Sequence, residues 1–146
     1  MTAAVVAERM GGYPVLRKHV ASDLDLAALV RAGLPAAALD HLLAELAEGG
    51  SPVSDVYRVV GSARTLQRKR TQRARLSVDE SDRLARLARL VVRAEEALGD
   101  RTNAVQWLIR ANRALGGNRP LALLDSDAGA RAVEQVLGRI EYGVYS

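Results

Sequence analysis

One stretch of this 146-residue chain, residues 77–99, limits the possible folds more than any other. Ser77 and Glu80 have the spacing of a capping box, in which each side chain accepts a hydrogen bond from the backbone amide of the other residue. Apolar residues then recur at helical spacing, and they are Leu84, Leu87, Val91, Ala94 and Leu98. Gly99 follows as a stop signal. We therefore predict an amphipathic helix that begins after Ser77 and ends before Gly99.

Glycine, proline and capping residues divide the first half of the chain into further short helices. Ser22 can cap a helix together with Asp25, and Gly33 ends it. Pro35 stands in the first turn of the next predicted helix, which ends at Gly49. The apolar face of that helix consists of Leu39, Leu42, Leu43 and Leu46. Because Ala, Leu and Val dominate the composition and few segments alternate as strands do, we predict an all-α fold.

After Gly99 the sequence predicts two more helices. The first has an apolar face that consists of Ala104, Leu108, Ala111 and Leu115, and GGNRP at residues 116–120 breaks it. A short turn around PLALL, residues 120–124, leads to a helix that begins at about Ser126. Its apolar face consists of Val133, Val136, Leu137 and Ile140. Residues 1–21 lack a clear period, and we expect a mobile segment there.

The net charge of +4 is concentrated in residues 51–76, which carry seven Lys and Arg against one Asp. Residues 1–50 carry four basic against six acidic side chains, and residues 77–146 carry ten against ten. Two short helical stretches, residues 51–60 and 63–72, flank Gly61 and Ser62 in this basic region, as a helix-turn-helix requires. The pattern predicts contact with a polyanion. The charge alone leaves open a solvated basic helix that joins two domains.

The second of these helices has a face suited to reading DNA. If Leu66 points into the core, the helical step of about 100° places Arg64 and Arg68 on the opposite side, where Thr65 and Gln67 flank them. Arginine can bond guanine and glutamine can bond adenine, whereas Lys69, Arg70 and Arg73 are expected to meet phosphates. The candidate DNA-binding residues are Ser62, Arg64, Thr65, Gln67, Arg68, Lys69 and Arg70. An arginine-rich linker helix could instead present this face to water.

The segment RIEYGVYS at residues 139–146 is rich in large apolar side chains. Together with Trp107 and the leucines of residues 121–124, these are too many for three short helices to bury. Tyrosines beside Arg139 and Glu141 have the composition of an interface anchor with a polar rim. We predict that a partner covers this segment. The alternative is that Tyr142 and Tyr145 fold back over the core of the second half.

The sequence gives little support for catalysis, a metal or a membrane. His19 and His41 are isolated, and the acidic residues Asp79, Glu80 and Asp82 suit the first turn of a helix better than a metal site. The chain contains no cysteine, no phosphate-binding glycine motif and no apolar run that approaches 18 residues, and residues 1–14 lack the basic and apolar pattern that would indicate export. We expect a cytoplasmic protein that is not an enzyme, needs no cofactor or metal and does not contact a membrane.

Several segments, taken in order, resemble the bacterial Xre/MbcA/ParS-type antitoxins, the partners of RES-domain toxins. They are GLPAAALDHLL (33–43), RTLQRKR (64–70), RLSVDESDRLARLARL (75–90) and NAVQWLIRANRALGGNRPLALLDSDAGARAVEQVLGRIEYGVYS (103–146). The resemblance implies an Xre-like helix-turn-helix that binds the operon's own promoter, followed by a helical domain that covers the active-site cleft of the toxin. RES toxins are implied to consume NAD or to transfer ADP-ribose from it, while the antitoxin does no chemistry.

Carried onto this chain, the resemblance places the DNA reader on the same face of residues 64–68. It implies that the toxin-binding residues are Trp107, Asn112, Leu115, Arg139, Ile140, Glu141, Tyr142, Val144 and Tyr145. One departure affects the fold: members of the family commonly have a proline before the asparagine, where this chain has Ala111. We therefore expect the break in the predicted helix of residues 104–115 to come later than in the family.

These observations predict three parts: an N-terminal segment (1–21), a helix-turn-helix DNA-binding domain (22–75) and a helical toxin-binding domain (76–146). The expected partners are a RES-domain toxin and operator DNA. We expect a homodimer within the toxin–antitoxin complex, because a two-fold protein matches a palindromic operator. The main alternative is a helix-turn-helix repressor whose C-terminal half only dimerises. A weaker alternative is a structural adaptor that does not bind DNA.

Overall fold

The computed structural model describes residues 1–143, which form nine α-helices and two short 3₁₀ helices. The α-helices are α1 Ala3–Arg9, α2 Gly12–Leu16, α3 Asp23–Ala32, α4 Ala36–Glu48, α5 Val53–Val60, α6 Ala63–Gln72, α7 Val78–Leu98, α8 Arg101–Ile109 and α9 Asp127–Glu141. The 3₁₀ helices are Arg113–Leu115 and Pro120–Asp125. The described residues contain no β-strand, so the predicted all-α fold is confirmed.

Helix α7 lies at the centre of the fold. Its capping box is present: the Glu80 amide donates to Ser77 Oγ at 3.1 Å, and the Ser77 amide donates to Glu80 Oε1 at 2.8 Å. Gly99 ends the helix in the left-handed region, as predicted. The predicted stripe is buried apart from Leu98, which is partly exposed. Leu90 and Val92 are buried as well, because α7 packs against α1, α3, α5, α8 and α9 rather than against one neighbour.

The helix starts predicted in the first half are present. Ser22 and Asp25 form a capping box at the start of α3, and Pro35 lies at the N-cap of α4, one position before its first turn. The connection between α3 and α4 pairs with the connection between α6 and α7 through two backbone hydrogen bonds. The Ala36 amide donates to the Ala74 carbonyl at 3.0 Å, and the Leu76 amide donates to the Leu34 carbonyl at 2.8 Å. These bonds tie the end of α6 to the start of α4.

The predicted helix of residues 104–115 is shorter than expected. Helix α8 ends at Ile109, and Arg110 adopts an extended conformation, so the break comes early although Ala111 is not a proline. Two side chains account for the break. Asn112 caps the following 3₁₀ helix by accepting from the Ala114 amide at 3.0 Å. Arg119 Nε donates to the carbonyl of Ile109 at 2.7 Å and takes the place of the next helical amide.

Residues 1–21 contain two short helices where we predicted no regular element. Five- and seven-residue helices are too short for an apolar period to stand out in the sequence. Val6, Ala7 and Met10 are buried, and α1 packs against α7. The expected mobility of this segment concerns its dynamics and stays a prediction, although this packing works against it.

Apart from Ala3, the buried apolar side chains of the described residues form one cluster, which extends from Val6 in α1 to Leu137 in α9. The cluster crosses the boundary that we predicted between residues 75 and 76. That boundary therefore stays a prediction about the division of function, and packing alone does not mark it. Within residues 1–143, no helix is both long and apolar enough to cross a membrane.

Candidate functional site

Helices α5 and α6 form the helix-turn-helix that the sequence predicted. Gly61 ends α5, and Ser62 occupies the N-cap of α6, although its side chain makes no capping hydrogen bond. Leu66 is the one buried residue of α6, with 0% of its side chain exposed, and α6 packs against α4 and α5. The expected orientation of Leu66 is therefore confirmed.

The outer face of α6 carries the predicted base-reading side chains. Arg64, Gln67 and Arg68 are exposed, and Thr65 is partly exposed. Within the described part of the chain, neither Arg64 nor Arg68 forms an ion pair. Helix α6 thus presents two unpaired guanidinium groups, one turn apart, with Gln67 beside them. Such a face can donate to phosphates and to the acceptor groups of guanine.

Lys69 and Arg70, predicted to meet phosphates, are bonded to side chains of this chain. Lys69 Nζ donates to Glu80 Oε1 at 2.5 Å, which links α6 to the first turn of α7. Arg70 donates through Nε to Asp40 of α4 and through Nη1 to the hydroxyl of Tyr57 of α5. Both basic side chains therefore make hydrogen bonds within this chain, at the inner edge of α6.

The pKa values of two groups reflect these contacts. Burial alone would raise the pKa of Glu80, but the hydrogen bonds from Lys69 and Ser77 and the charge of Lys69 outweigh it, and the pKa is lowered. Burial would lower the pKa of Arg70, whereas the bonds to Asp40 and Tyr57 raise it. Both groups are therefore held in their charged forms.

Of the seven basic residues in the segment 51–76, three are bonded within the chain. Lys69 and Arg70 form ion pairs, and Arg75 Nη1 donates to the carbonyl of Gly33 at 2.6 Å. The other four are exposed, as Arg75 also is, and they are Arg58, Arg64, Arg68 and Arg73. Two of the seven positive charges are paired within the chain, so the basic surface available to a polyanion is smaller than the sequence count indicates.

Three predicted toxin-binding residues lie within the packing of the second half. Trp107 is partly buried against the core, and Leu115 is buried. Asn112 is partly exposed, and its backbone amide donates to the Asn118 carbonyl at 3.0 Å in addition to its capping bond. These residues shape the connection between α8 and the second 3₁₀ helix. Their predicted contact with a toxin stays a prediction.

The C-terminal end of α9 offers a different surface. Ile140 packs partly against the core, Arg139 is exposed, and Glu141 forms an ion pair with Arg93 of α7. Tyr142 follows the last turn of α9 and is 78% exposed. Within the described residues this tyrosine does not fold back over the core. Val144 and Tyr145, which belong to the same prediction, lie outside the described residues.

The two histidines have structural surroundings. His41 Nε2 lies 3.2 Å from Glu45 Oε1, one turn along α4, and the His19 ring stacks on Tyr13 with 4.5 Å between the ring centres. Within residues 1–143, no three His, Cys, Asp or Glu side chains are grouped so that they could hold a metal ion.

The sequence did not reveal several contacts between residues that are distant along the chain. Arg119 Nη2 donates to Asp55 Oδ2 at 2.8 Å, which links the second 3₁₀ helix to the first turn of α5. Asp40 and Tyr57 were likewise not recognised as partners of Arg70. These pairs are 64, 30 and 13 residues apart, too far for any helical spacing to indicate them. Only Glu80 had a local signal, the capping box.

Comparison with known proteins gives two family matches. Residues 25–89 match the antitoxin Xre-like helix-turn-helix domain, and residues 93–143 match the antitoxin Xre/MbcA/ParS C-terminal toxin-binding domain. Residues 90–92, within α7, separate the two matches.

Similar proteins include two named Antitoxin Xre. The one from Photorhabdus laumondii is 33% identical over 83% of this chain and 81% of its own length, and the one from Yersinia enterocolitica is 35% identical over 65% and 66%. A protein from a Sphingobium species, named Prs ADP-ribosylating antitoxin, is 28% identical over 99% of this chain and 97% of its own length.

Proposed function

This chain belongs to the family of Xre antitoxins, and from that premise we propose that it blocks the active site of a RES-domain toxin and represses its own operon. Its membership makes it an antitoxin with a helix-turn-helix and a toxin-binding domain. The class of the toxin and the binding of DNA are the parts that we propose. In this proposal the chain itself carries out no reaction and acts only by binding the toxin and the operator DNA.

The proposed toxin consumes NAD or transfers ADP-ribose from it. The family resemblance of the sequence implies a RES-domain toxin, and the name of the Sphingobium relative refers to ADP-ribosylation. No titratable group of this chain needs a catalytic role for the proposal to hold. Inhibition is steric: the C-terminal domain docks on the toxin and denies NAD access to its active site.

The exposed end of α9 is the observation that carries this proposal. Tyr142 is 78% exposed at the edge of the toxin-binding domain, beside the charged side chains of Arg139 and Glu141. A large aromatic group with a polar rim is typical of the central anchor of a protein interface. Ile140, two residues earlier, packs partly against the core. We place the toxin contact at this end of α9.

The proposed operator contact uses the outer face of α6. Arg64 and Arg68 are exposed and unpaired within the described residues, and recognition helices read base edges in the major groove with side chains placed in this way. Two copies of α6, related by a two-fold axis in a homodimer, would meet the two half-sites of a palindrome. The dimer is part of the proposal, and a monomeric mass in solution at working concentration counts against it.

Co-expression tests the proposal. The gene product encoded beside this chain is expressed alone and together with it, and the growth of the cells is followed. We expect growth arrest with the neighbour alone and normal growth with both. Continued arrest when both proteins are made would contradict the antitoxin mechanism and favour the alternative, a repressor whose C-terminal half only dimerises.

A further inference from the structure

We propose that Lys69 and Arg70 are positioning residues, which hold α6 in its DNA-reading orientation, and that neither of them contacts a phosphate. The inference rests on the proposed DNA binding and concerns how the reading face is kept in place. It assigns to these two side chains a different role from the one that their charge suggests in the sequence.

Helix α6 needs such support because its own apolar contact is small. Of its ten residues, Leu66 is the only one that is buried. One leucine fixes the distance between α6 and the core but leaves rotation about the helix axis poorly determined. A rotation of one residue step, about 100°, would turn Arg64 and Arg68 away from a groove. Contacts at a second point on the helix are therefore required.

The side chain of Arg70 provides one of these contacts. Through two of its nitrogens it joins Asp40 of α4 and Tyr57 of α5, so three helices meet at a single guanidinium group. The planar, fork-shaped group holds two partners in fixed directions, which a lysine at the same place cannot do. It thereby fixes α6 against both helices on which it packs.

The side chain of Lys69 provides the other contact. Its ammonium group lies 2.5 Å from Glu80 Oε1, and the side chains of the pair are only 16% and 10% exposed. Glu80 is itself held by the capping box of α7, because the same oxygen accepts from the Ser77 amide at 2.8 Å. The pair therefore connects the reading helix to the start of the central helix.

A phosphate that bound Lys69 or Arg70 would compete with the bonds that these side chains make to Glu80, Asp40 and Tyr57. The two roles predict opposite effects when the acidic partner is neutralised. If Lys69 and Arg70 bind phosphates, the loss of Asp40 or Glu80 releases a cation and removes a negative charge, so DNA affinity rises. If they position α6, the same loss loosens the helix and DNA affinity falls.

The variants Asp40→Asn and Glu80→Gln test whether DNA affinity rises or falls when the acidic partner is neutralised. Glutamine still serves a capping box, so Glu80→Gln removes the charge while the start of α7 is kept. Asp79→Asn is the matched control, because Asp79 is exposed in the same turn and forms no ion pair within the described residues. Tyr57→Phe removes one hydrogen bond to Arg70 without any change of charge.

The probe is a fluorescein-labelled DNA duplex from the region directly upstream of the protein's own operon. Its anisotropy is measured at several salt concentrations, and circular dichroism and thermal unfolding confirm that each variant is folded. We expect Asp40→Asn, Glu80→Gln and Tyr57→Phe each to weaken binding about threefold to tenfold, the range that corresponds to the cost of immobilising one long side chain on binding. Asp79→Asn should bind as the unchanged protein does, or slightly more tightly. The salt dependence should keep its slope, because no phosphate contact is lost.

Two results would overturn the inference, and they differ from each other. If the unchanged protein binds the duplex but Asp40→Asn and Glu80→Gln bind as tightly or more tightly, the operator contact stands and the positioning role is wrong. If the unchanged protein fails to bind at any salt concentration, operator binding itself is wrong and the inference falls with it. Should Glu80→Gln unfold, Asp40→Asn and Tyr57→Phe decide the question, since the side chain of Asp40 is 46% exposed and Phe retains the ring of Tyr57.

Discussion

Replacing Gly129 by alanine tests how α9 is seated on the second 3₁₀ helix. A methyl group at this position would lie 1.9 Å from the carbonyl oxygen of Leu123, whereas side-chain β-carbons essentially never approach another heavy atom within 3.0 Å. The backbone must therefore move by about 1 Å or more, and the obstacle is main chain, which cannot rotate away. The variant should separate α9 from the segment that carries Leu123.

Two opposing effects determine how much Gly129→Ala changes the free energy of unfolding. Alanine is better than glycine in a helix by about 1 kcal/mol, which favours the variant. Overpacking costs about 1–3 kcal/mol and occasionally more, and a backbone obstacle places this site at the upper end. We expect a net loss of about 2 kcal/mol in the free energy of unfolding, which for a chain of this length lowers Tm by about 4–8 °C.

Gly138→Ala is the matched control in the same helix. A methyl group there would meet nothing closer than the Arg93 guanidinium at 3.9 Å, so only the helix preference remains. We expect Gly138→Ala to increase the free energy of unfolding by about 1 kcal/mol. Chemical unfolding followed by circular dichroism measures both variants. If Gly129→Ala is stabilised as Gly138→Ala is, the close seating of α9 on Leu123 is wrong.

Three further predictions concern charge and the two surfaces. Because the pKa of Glu80 is lowered, its ionised form stabilises the fold above about pH 4.5, and this contribution is lost as the pH falls through the lowered pKa. Acid unfolding titrations should therefore show a smaller loss of stability between about pH 5 and pH 3 for Glu80→Gln than for the unchanged protein. Tyr142→Ala should change the free energy of unfolding by less than about 0.5 kcal/mol, because the side chain is largely exposed, yet weaken toxin binding in calorimetry by about 2 kcal/mol; equal toxin affinity would remove Tyr142 from the interface. Replacing Arg64 and Arg68 together by alanine should abolish binding to the upstream duplex while growth rescue persists, and loss of both would mean that the division of function is misplaced.

The helices that could be predicted from the sequence are those with local signals. The capping boxes at Ser22 and Ser77 satisfy backbone amides within one turn, so four consecutive residues contain all the information. The orientation of α6 followed from Leu66 in the same way, because the helical step ties Arg64 and Arg68 to the opposite face.

The parts that could not be predicted depend on contacts between distant residues. The early end of α8 results from Arg119, ten residues away, which bonds the Ile109 carbonyl. The contacts of Arg70 with Asp40 and Tyr57 depend on how α4 and α5 pack. No spacing along α6 distinguishes a basic side chain that forms an ion pair from one that does not. A charge count therefore gave too large a basic surface. The residue types were informative about chemistry but not about which of them remain available.

In the proposed mechanism, the C-terminal end of the toxin-binding domain closes the active site of a RES-domain toxin. The most direct test is to purify the neighbouring toxin, measure its consumption of NAD or its transfer of ADP-ribose, and titrate it with the full chain and with a chain that lacks residues 142–146. The full chain should abolish the activity at near-equimolar ratio. The shortened chain should keep its helical circular dichroism and Tm but inhibit poorly. Equal inhibition by both chains, or none by the full chain, would contradict the account.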